Sequence, residues 1–210
     1  MEVLNELEYL KTYVKKFYAK NDPSHDFAHV MRVYKNAEKI CNVEKVNKKL
    51  VLVSVLLHDI VKKPKNDLRT KPSSELSAEK SSLILKKLKF SEEEISTVSE
   101  AISNHSFSKN KISTSLEGRI LQDADRLDAL GSIGIARVFS VSGVKNRQLY
   151  EPNDPFAKNR KPDDKKWALD HFFQKLLLLD KMMNTKTGKI EAKKRTKILK
   201  KYLIMLKKEI

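Results

Sequence analysis

Apolar residues recur along this chain at three- and four-residue intervals, a spacing that predicts helix almost throughout. The first segment sets Val3, Leu4, Leu7, Leu10, Val14 and Phe17 on one stripe. Asn21-Asp22-Pro23-Ser24 interrupts it, and Ser24 suits the cap of a second helix through Val33, Ala37 and Ile40. His25 and His29 stand one turn apart at the start of that helix and share a face. From about Asn47 to Ile60 the pattern is apolar nearly all round, which predicts a central helix. The polar loop that opens at Lys62 and runs through Pro72 follows His58-Asp59 directly, where it could reach a substrate.

A helix is expected over Ser74 to Leu88, and Ser91-Glu92-Glu93-Glu94 is a capping-box pattern for another through Ile95, Val98 and Ile102, ending near His105. Ser113-Thr114-Ser115 offers a cap for a helix carrying Ile120, Leu121, Ala124, Leu127 and Leu130 before Gly131, and the apolar run 133–139 reads as helix too. The longest loop lies around Glu151-Pro152-Asn153-Asp154-Pro155-Phe156. After it, Asp163 or Asp164 is expected to cap a helix through Trp167, Phe172, Phe173, Leu176 and Leu179, and a lysine-rich helix from about Gly188 to Lys208 closes the chain. There is no strand pattern longer than a few residues, no internal repeat and no low-complexity linker. The economical prediction is one all-α domain over residues 1–210, with a core at about 20–140 and C-terminal helices at about 163–208 packed on it.

Length and composition narrow this picture. With 210 residues, 40% of them hydrophobic, the chain can build one sizeable core and is short for two domains. The single Cys41 cannot form an internal disulfide, the N-terminus lacks the basic and apolar regions of a signal peptide, and no apolar stretch approaches a membrane span. A cytoplasmic protein without a membrane partner is expected. Forty-three basic against 27 acidic residues give a formal charge of +16, which favours anionic partners. Many of the lysines are scattered along predicted helix faces, so charge alone selects no function.

Chemistry enters with Val55-Leu56-Leu57-His58-Asp59-Ile60, an apolar run that ends in two metal-competent side chains. Burying such groups without partners is costly, and a metal ion would satisfy both. Candidate companions are Ser24-His25-Asp26-Phe27-Ala28-His29 upstream, and Asn104-His105-Ser106-Phe107 and Gln122-Asp123-Ala124-Asp125-Arg126-Leu127-Asp128 downstream. Acids on an otherwise apolar helix are expensive without a cation. At 100° per residue Asp125 and Asp128 share a face, and Asp123 is rotated from Asp125 by about 200°.

These motifs resemble the HD superfamily of metal-dependent phosphohydrolases, whose pattern is a His, an adjacent His-Asp pair and a distant Asp. Further stretches, His-Ser-Phe-Ser at 105–108, Asp-Arg-Leu-Asp-Ala-Leu-Gly-Ser-Ile-Gly-Ile-Ala-Arg at 125–137, Asp-Pro-Phe-Ala at 154–157 and Ala-Leu-Asp-His-Phe at 168–172, are similar to the small YedJ/YpgQ-like subgroup of that superfamily. The resemblance covers nearly the whole chain. It implies an all-helical HD-domain bundle and hydrolysis of nucleotides, with a nucleoside triphosphate cleaved to monophosphate and pyrophosphate. It also implies one divalent metal ion held by His29, His58, Asp59 and Asp125. The Ala-Asp-Arg-Leu setting favours Asp125 as the last ligand, with Asp123 in reserve. Imidazole and carboxylate donors without thiolate suit Mn, Fe, Co, Ni, Zn or Mg better than a soft metal, and manganese is the first expectation among them. The ion would activate water at phosphorus.

Under that expectation Asp59 belongs to the catalytic centre, Asp128 could act as a general base and His25 could protonate a leaving group. Asp26 either orients His29 or caps its helix. Arg32, Lys62, Lys63, His105, Arg126 and Arg160 are the candidate contacts to substrate phosphates, with Lys175 and Asp170-His171 behind them. Two other functions compete. One keeps the fold but makes the substrate a phosphomonoester, an alarmone or a cyclic nucleotide. The other is a basic nucleic-acid-binding or regulatory module with a structural metal, disfavoured because few aromatics interleave with the basic run at Lys189 to Lys201.

Overall fold

In the computed structural model, residues 3–19, 25–62 and 71–210 are described, apart from the side chains of residues 3–5 and 108. The described residues are all-α, as the periodicity predicts; the one extended pairing among them is an isolated bridge between Gln148 and Trp167. The chain forms two compact units, Met1–Asp125 and Arg126–Ile210.

The first unit is organised around α3 (Lys48–Leu57), in which every residue from Leu50 to Leu57 is buried. Asn47 caps it, its side chain accepting from the Leu50 amide. An apolar helix without a polar face must be enclosed, and α1 (Val3–Tyr18), α2 (Phe27–Cys41), α4 (Ser73–Lys87) and α5 (Glu92–Asn104) all pack on it. On α1 the buried stripe is Leu7, Leu10, Val14 and Tyr18. Phe17, expected in the core, is half-buried under the Lys80 ammonium 3.9 Å from its ring, and Tyr18 takes the inner place because i+4 from Val14 continues the stripe. Val3 and Leu4 of that predicted stripe fall outside the described side chains.

The cap of α2 is Asp26, not Ser24: its carboxylate accepts from the His29 amide at 2.8 Å. Ser24 and the predicted break at Asn21-Asp22-Pro23 lie outside the described residues, as does most of the polar loop after Lys62. The capping box at α5 is present, Ser91 Oγ accepting from Glu94 N and Glu94 from Ser91 N. Cys41 closes α2 as a buried thiol whose pKa is pushed up to about 11 by desolvation.

α6 (Leu116–Asp128) begins after Ser115, which accepts from Gly118 N, and the first unit ends within it. Glycine is required at 118, since a Cβ there would lie 1.9 Å from Ser113 Oγ.

The second unit contains α7 (Gly131–Val144), α8 (Asp170–Gln174), a 3₁₀ stretch over Leu176–Met182 and α9 (Lys186–Leu206). Phe172 is its fully buried centre, stacked on Tyr202 and tilted against Phe139. The long helix expected from Asp163 or Asp164 is absent. The amides of Ala168 and Leu169 donate to the carbonyls of Gln148 and Leu149, so they are not available to a helix begun at Asp163 or Asp164, and helix starts only at Asp170. Beyond Gln174 the chain tightens to the 3₁₀ stretch. α9 begins slightly before the predicted Gly188, capped by Thr185. Among the described residues no single helix is long and apolar enough to cross a membrane.

Candidate metal centre

Helix termini place the imidazoles. Capping by Asp26 fixes the first turn of α2, so His29 points inward and is 1% exposed. His58 follows the last residue of α3 and His105 the last of α5, and both use the same local device. Each Nδ1 lies within hydrogen-bond distance of the carbonyl three residues back, 2.7 Å to Val55 O for His58 and 2.6 Å to Ile102 O for His105. A carbonyl only accepts, so each Nδ1 carries a proton and Nε2 is the nitrogen left to face the interior. His58 Nε2 is completely buried and has no hydrogen bond.

The carboxylates complete the group. Asp59 sets Oδ2 3.7 Å from His58 Nε2 and Oδ1 3.5 Å from His105 Nε2, and Asp125 on α6 sets Oδ1 3.6 Å from His29 Nε2. Two of these separations exceed a hydrogen bond and the third, His105 to Asp59, lies at its limit, so the donors surround a common space. Two triads result, His29, His58 and Asp125, and His58, Asp59 and His105, each with its donor atoms within 4.8 Å and His58 in both. Nitrogen and oxygen donors about 2.0–2.2 Å from a central ion would have such spacings. The orphaned, lone-pair-bearing Nε2 of His58, buried among carboxylates, is what a cation would satisfy. The residues present therefore fit a divalent metal.

Electrostatics agree. Burial would raise the pKa of Asp59, but His58, His105 and His29 outweigh it and hold the carboxyl well below its usual range; Asp125 is lowered by the same imidazoles against its own desolvation. Desolvation lowers the pKa of His58, keeping it neutral, the form that ligates. At His105 desolvation also pulls downward, but the adjacent Asp59 prevails and raises it.

The structure thus brings together His29, His58, Asp59 and Asp125, and adds His105. His25 lies just before α2 with its ring edge-on to His29, centroids 5.8 Å apart. Asp123 is fully buried and outside both triads. Arg32 is half-buried on α2, Lys62 is exposed, and Lys63 lies outside the described residues. The other candidates belong to the second unit and are engaged there. Arg126 donates to the Met182 carbonyl at 2.6 Å, Asp128 accepts from Arg137 at 2.7 Å, and Arg160 forks onto fully buried Asp170. His171 pairs with Asp164 through Nδ1 at 2.7 Å.

Sequence reasoning missed the side chains that hold this frame. Tyr18 donates to the Leu56 carbonyl (3.1 Å) beneath His58, and Ser77 on α4 accepts from Val61 N just beyond Asp59. Asn36 on α2 and Gln122 on α6 are likewise buried and bonded to backbone. Their only signal was a polar residue at a position where the helical period demands an apolar one.

The family model described as HD domain matches residues 26–130, the span that contains every residue of the two triads. The uncharacterized protein YpgQ of Bacillus subtilis is 33% identical over all of this chain and 96% of its own length. Its crystal structure in complex with ADP superposes with a TM-score of 0.79 at 31% identity, covering 100% of this chain and 97% of that one. An HD-superfamily hydrolase from Bacillus thuringiensis gives a TM-score of 0.77 at 34% identity over 99% and 98% of the two chains. With the motifs, the helical fold and the His-Asp cluster in agreement, the chain belongs to the HD domain family.

Proposed function

We propose that this protein is a metal-dependent phosphohydrolase of nucleotides that cleaves a nucleoside triphosphate to the monophosphate and pyrophosphate. The observation that carries the reading is the buried His58 Nε2, aimed with Asp59, His29 and Asp125 at one space. The ADP complex of Bacillus subtilis YpgQ supports a nucleotide as the ligand class. His29, His58, Asp59 and Asp125 would hold the ion, manganese in the first instance. A divalent ion there supplies Lewis acidity toward a phosphoryl oxygen and makes water a competent nucleophile at neutral pH.

The chain's own residues do the rest. Val55 and Ile102 carbonyls fix the tautomers of His58 and His105, so that Nε2 of each is presented in one orientation. His25, beside His29 and only half-buried, would pass a proton to a leaving oxygen. Arg32 and Lys62 in the same unit supply positive charge for phosphate oxygens.

The test is release of phosphate and pyrophosphate from a panel of ribo- and deoxyribonucleoside triphosphates, in EDTA and then with Mn, Mg, Co, Ni or Zn. Pyrophosphate is expected only with metal and should vanish in Asp59→Ala. Orthophosphate alone would redirect the assignment to phosphomonoesterase chemistry, and no release with any ion would refute hydrolysis.

A further inference from the structure

The donors of the two triads come from α2, from the segment after α3, from the end of α5 and from α6. Their spacing is set by whatever ties these segments together. Packing of apolar side chains tolerates slippage of a few tenths of an ångström, whereas a hydrogen bond between a side chain and a backbone carbonyl fixes register and rotation together.

Three such bonds, from two side chains, converge on one turn of α6. Asn36 lies seven residues after His29 on α2, two turns along the same face, and donates from Nδ2 to the Ala124 carbonyl at 3.1 Å, next to Asp125. Gln122, one turn before Asp125, donates from Nε2 to the carbonyls of Asn104 (2.8 Å) and Lys111 (2.7 Å) and accepts from Ser113 N (3.4 Å). Asn104 is the last residue of α5 and directly precedes His105, and its carbonyl is one that a helix end leaves without an intrahelical partner. Asn36 is 6% and Gln122 0% exposed, so water does not compete for these bonds.

We propose that Asn36 and Gln122 are positioning residues for the divalent-cation donors. Asn36 locks Asp125 in register with His29. Gln122 locks the His105 end of α5 to the same α6 turn. Neither touches the ion; each acts through the backbone of its neighbour. This inference rests on the metal reading above but not on the reaction or the substrate.

The experiment is titration of the full chain with Co2+, following its visible absorption band, for the wild type, Gln122→Met, Asn36→Ala and Leu85→Ala. Leu85 is a fully buried core residue of α4 outside both triads and serves as a destabilised control. With helix content checked by circular dichroism below the melting temperature of every variant, Gln122→Met and Asn36→Ala should bind Co2+ about 10–100-fold more weakly with a shifted band. Leu85→Ala should bind as the wild type does. Should Gln122→Met not fold, Gln122→Glu, which keeps the size and exchanges the amide donor for an acceptor, must show the same loss. Wild-type affinity and spectrum in the Asn36 and Gln122 variants, or an equal loss in Leu85→Ala, would overturn the positioning role. A wild type that binds no Co2+ would overturn the metal reading itself, and with it this inference.

Discussion

Glu100 offers a quantitative test of how the cluster's scaffold is held. One turn before Asn104 on α5, its carboxylate accepts from Asn104 Nδ2, Ser113 Oγ, Thr114 N, Thr114 Oγ1 and Ser115 Oγ at 2.6–3.1 Å, pinning the segment that leads into α6. Burial pushes its pKa upward, but the bonds from Ser113, Thr114 and Ser115 outweigh it and bring the carboxyl from 4.5 to about 2. A drop of that size corresponds at full weight to ~3 kcal/mol favouring the folded state at neutral pH. The carboxylate keeps part of its hydration, and screening reduces this to about 1–2 kcal/mol. A folded pKa below the unfolded one means that the stabilisation is present above about pH 4.5 and disappears as pH falls toward about 2. Urea unfolding of Glu100→Gln against the wild type should therefore show a deficit of about 1–2 kcal/mol at pH 7, more than half of it gone by about pH 3. A deficit that is independent of pH, or none at pH 7, would refute the argument.

Replacing Tyr18 with Phe removes the hydroxyl that satisfies the Leu56 carbonyl, and equilibrium denaturation should register a loss of about 1–2 kcal/mol; no loss would mean that the carbonyl finds another donor. Asp170→Ala strands the Arg160 guanidinium and the Asp163 amide around an emptied, fully buried position, and a cost of about 3–5 kcal/mol is expected by the same measurement. Adding Mn2+ at about a hundredfold above its dissociation constant should stabilise the protein by ~2.7 kcal/mol, read as a rise in Tm that EDTA reverses. The rise should be absent in Asp59→Ala, and an unchanged wild-type Tm would count against the site.

What could be read from the sequence was what is local. The all-apolar run of α3 and the capping box at Ser91 declare themselves within a few residues, and the His58-Asp59 pair stands out because polarity there breaks an apolar run. The failures involve competition between near and far partners. Trp167 to Leu179 has helical spacing, but the Gln148 and Leu149 carbonyls claim the amides of Ala168 and Leu169, a pairing across some twenty residues that no periodicity announces. Arg126 and Arg160 are candidates for phosphate contact in the sequence because their acceptors, Met182 O and Asp170, are remote along the chain. Asn36 and Gln122 carry no charge, and the carbonyls they bond are remote in sequence, so nothing in their identity marks them out.

Cys41, the buried last residue of α2 and the only thiol in the chain, gives this protein a built-in clock. With its pKa pushed up to about 11, only about one molecule in ten thousand carries the reactive thiolate at neutral pH, and that one is shielded. Alkylating reagents will therefore modify the native protein only when this part of the first unit opens. The labelling rate in water reports the frequency of that opening, and any cation that tightens the His29 end of the same helix should slow it.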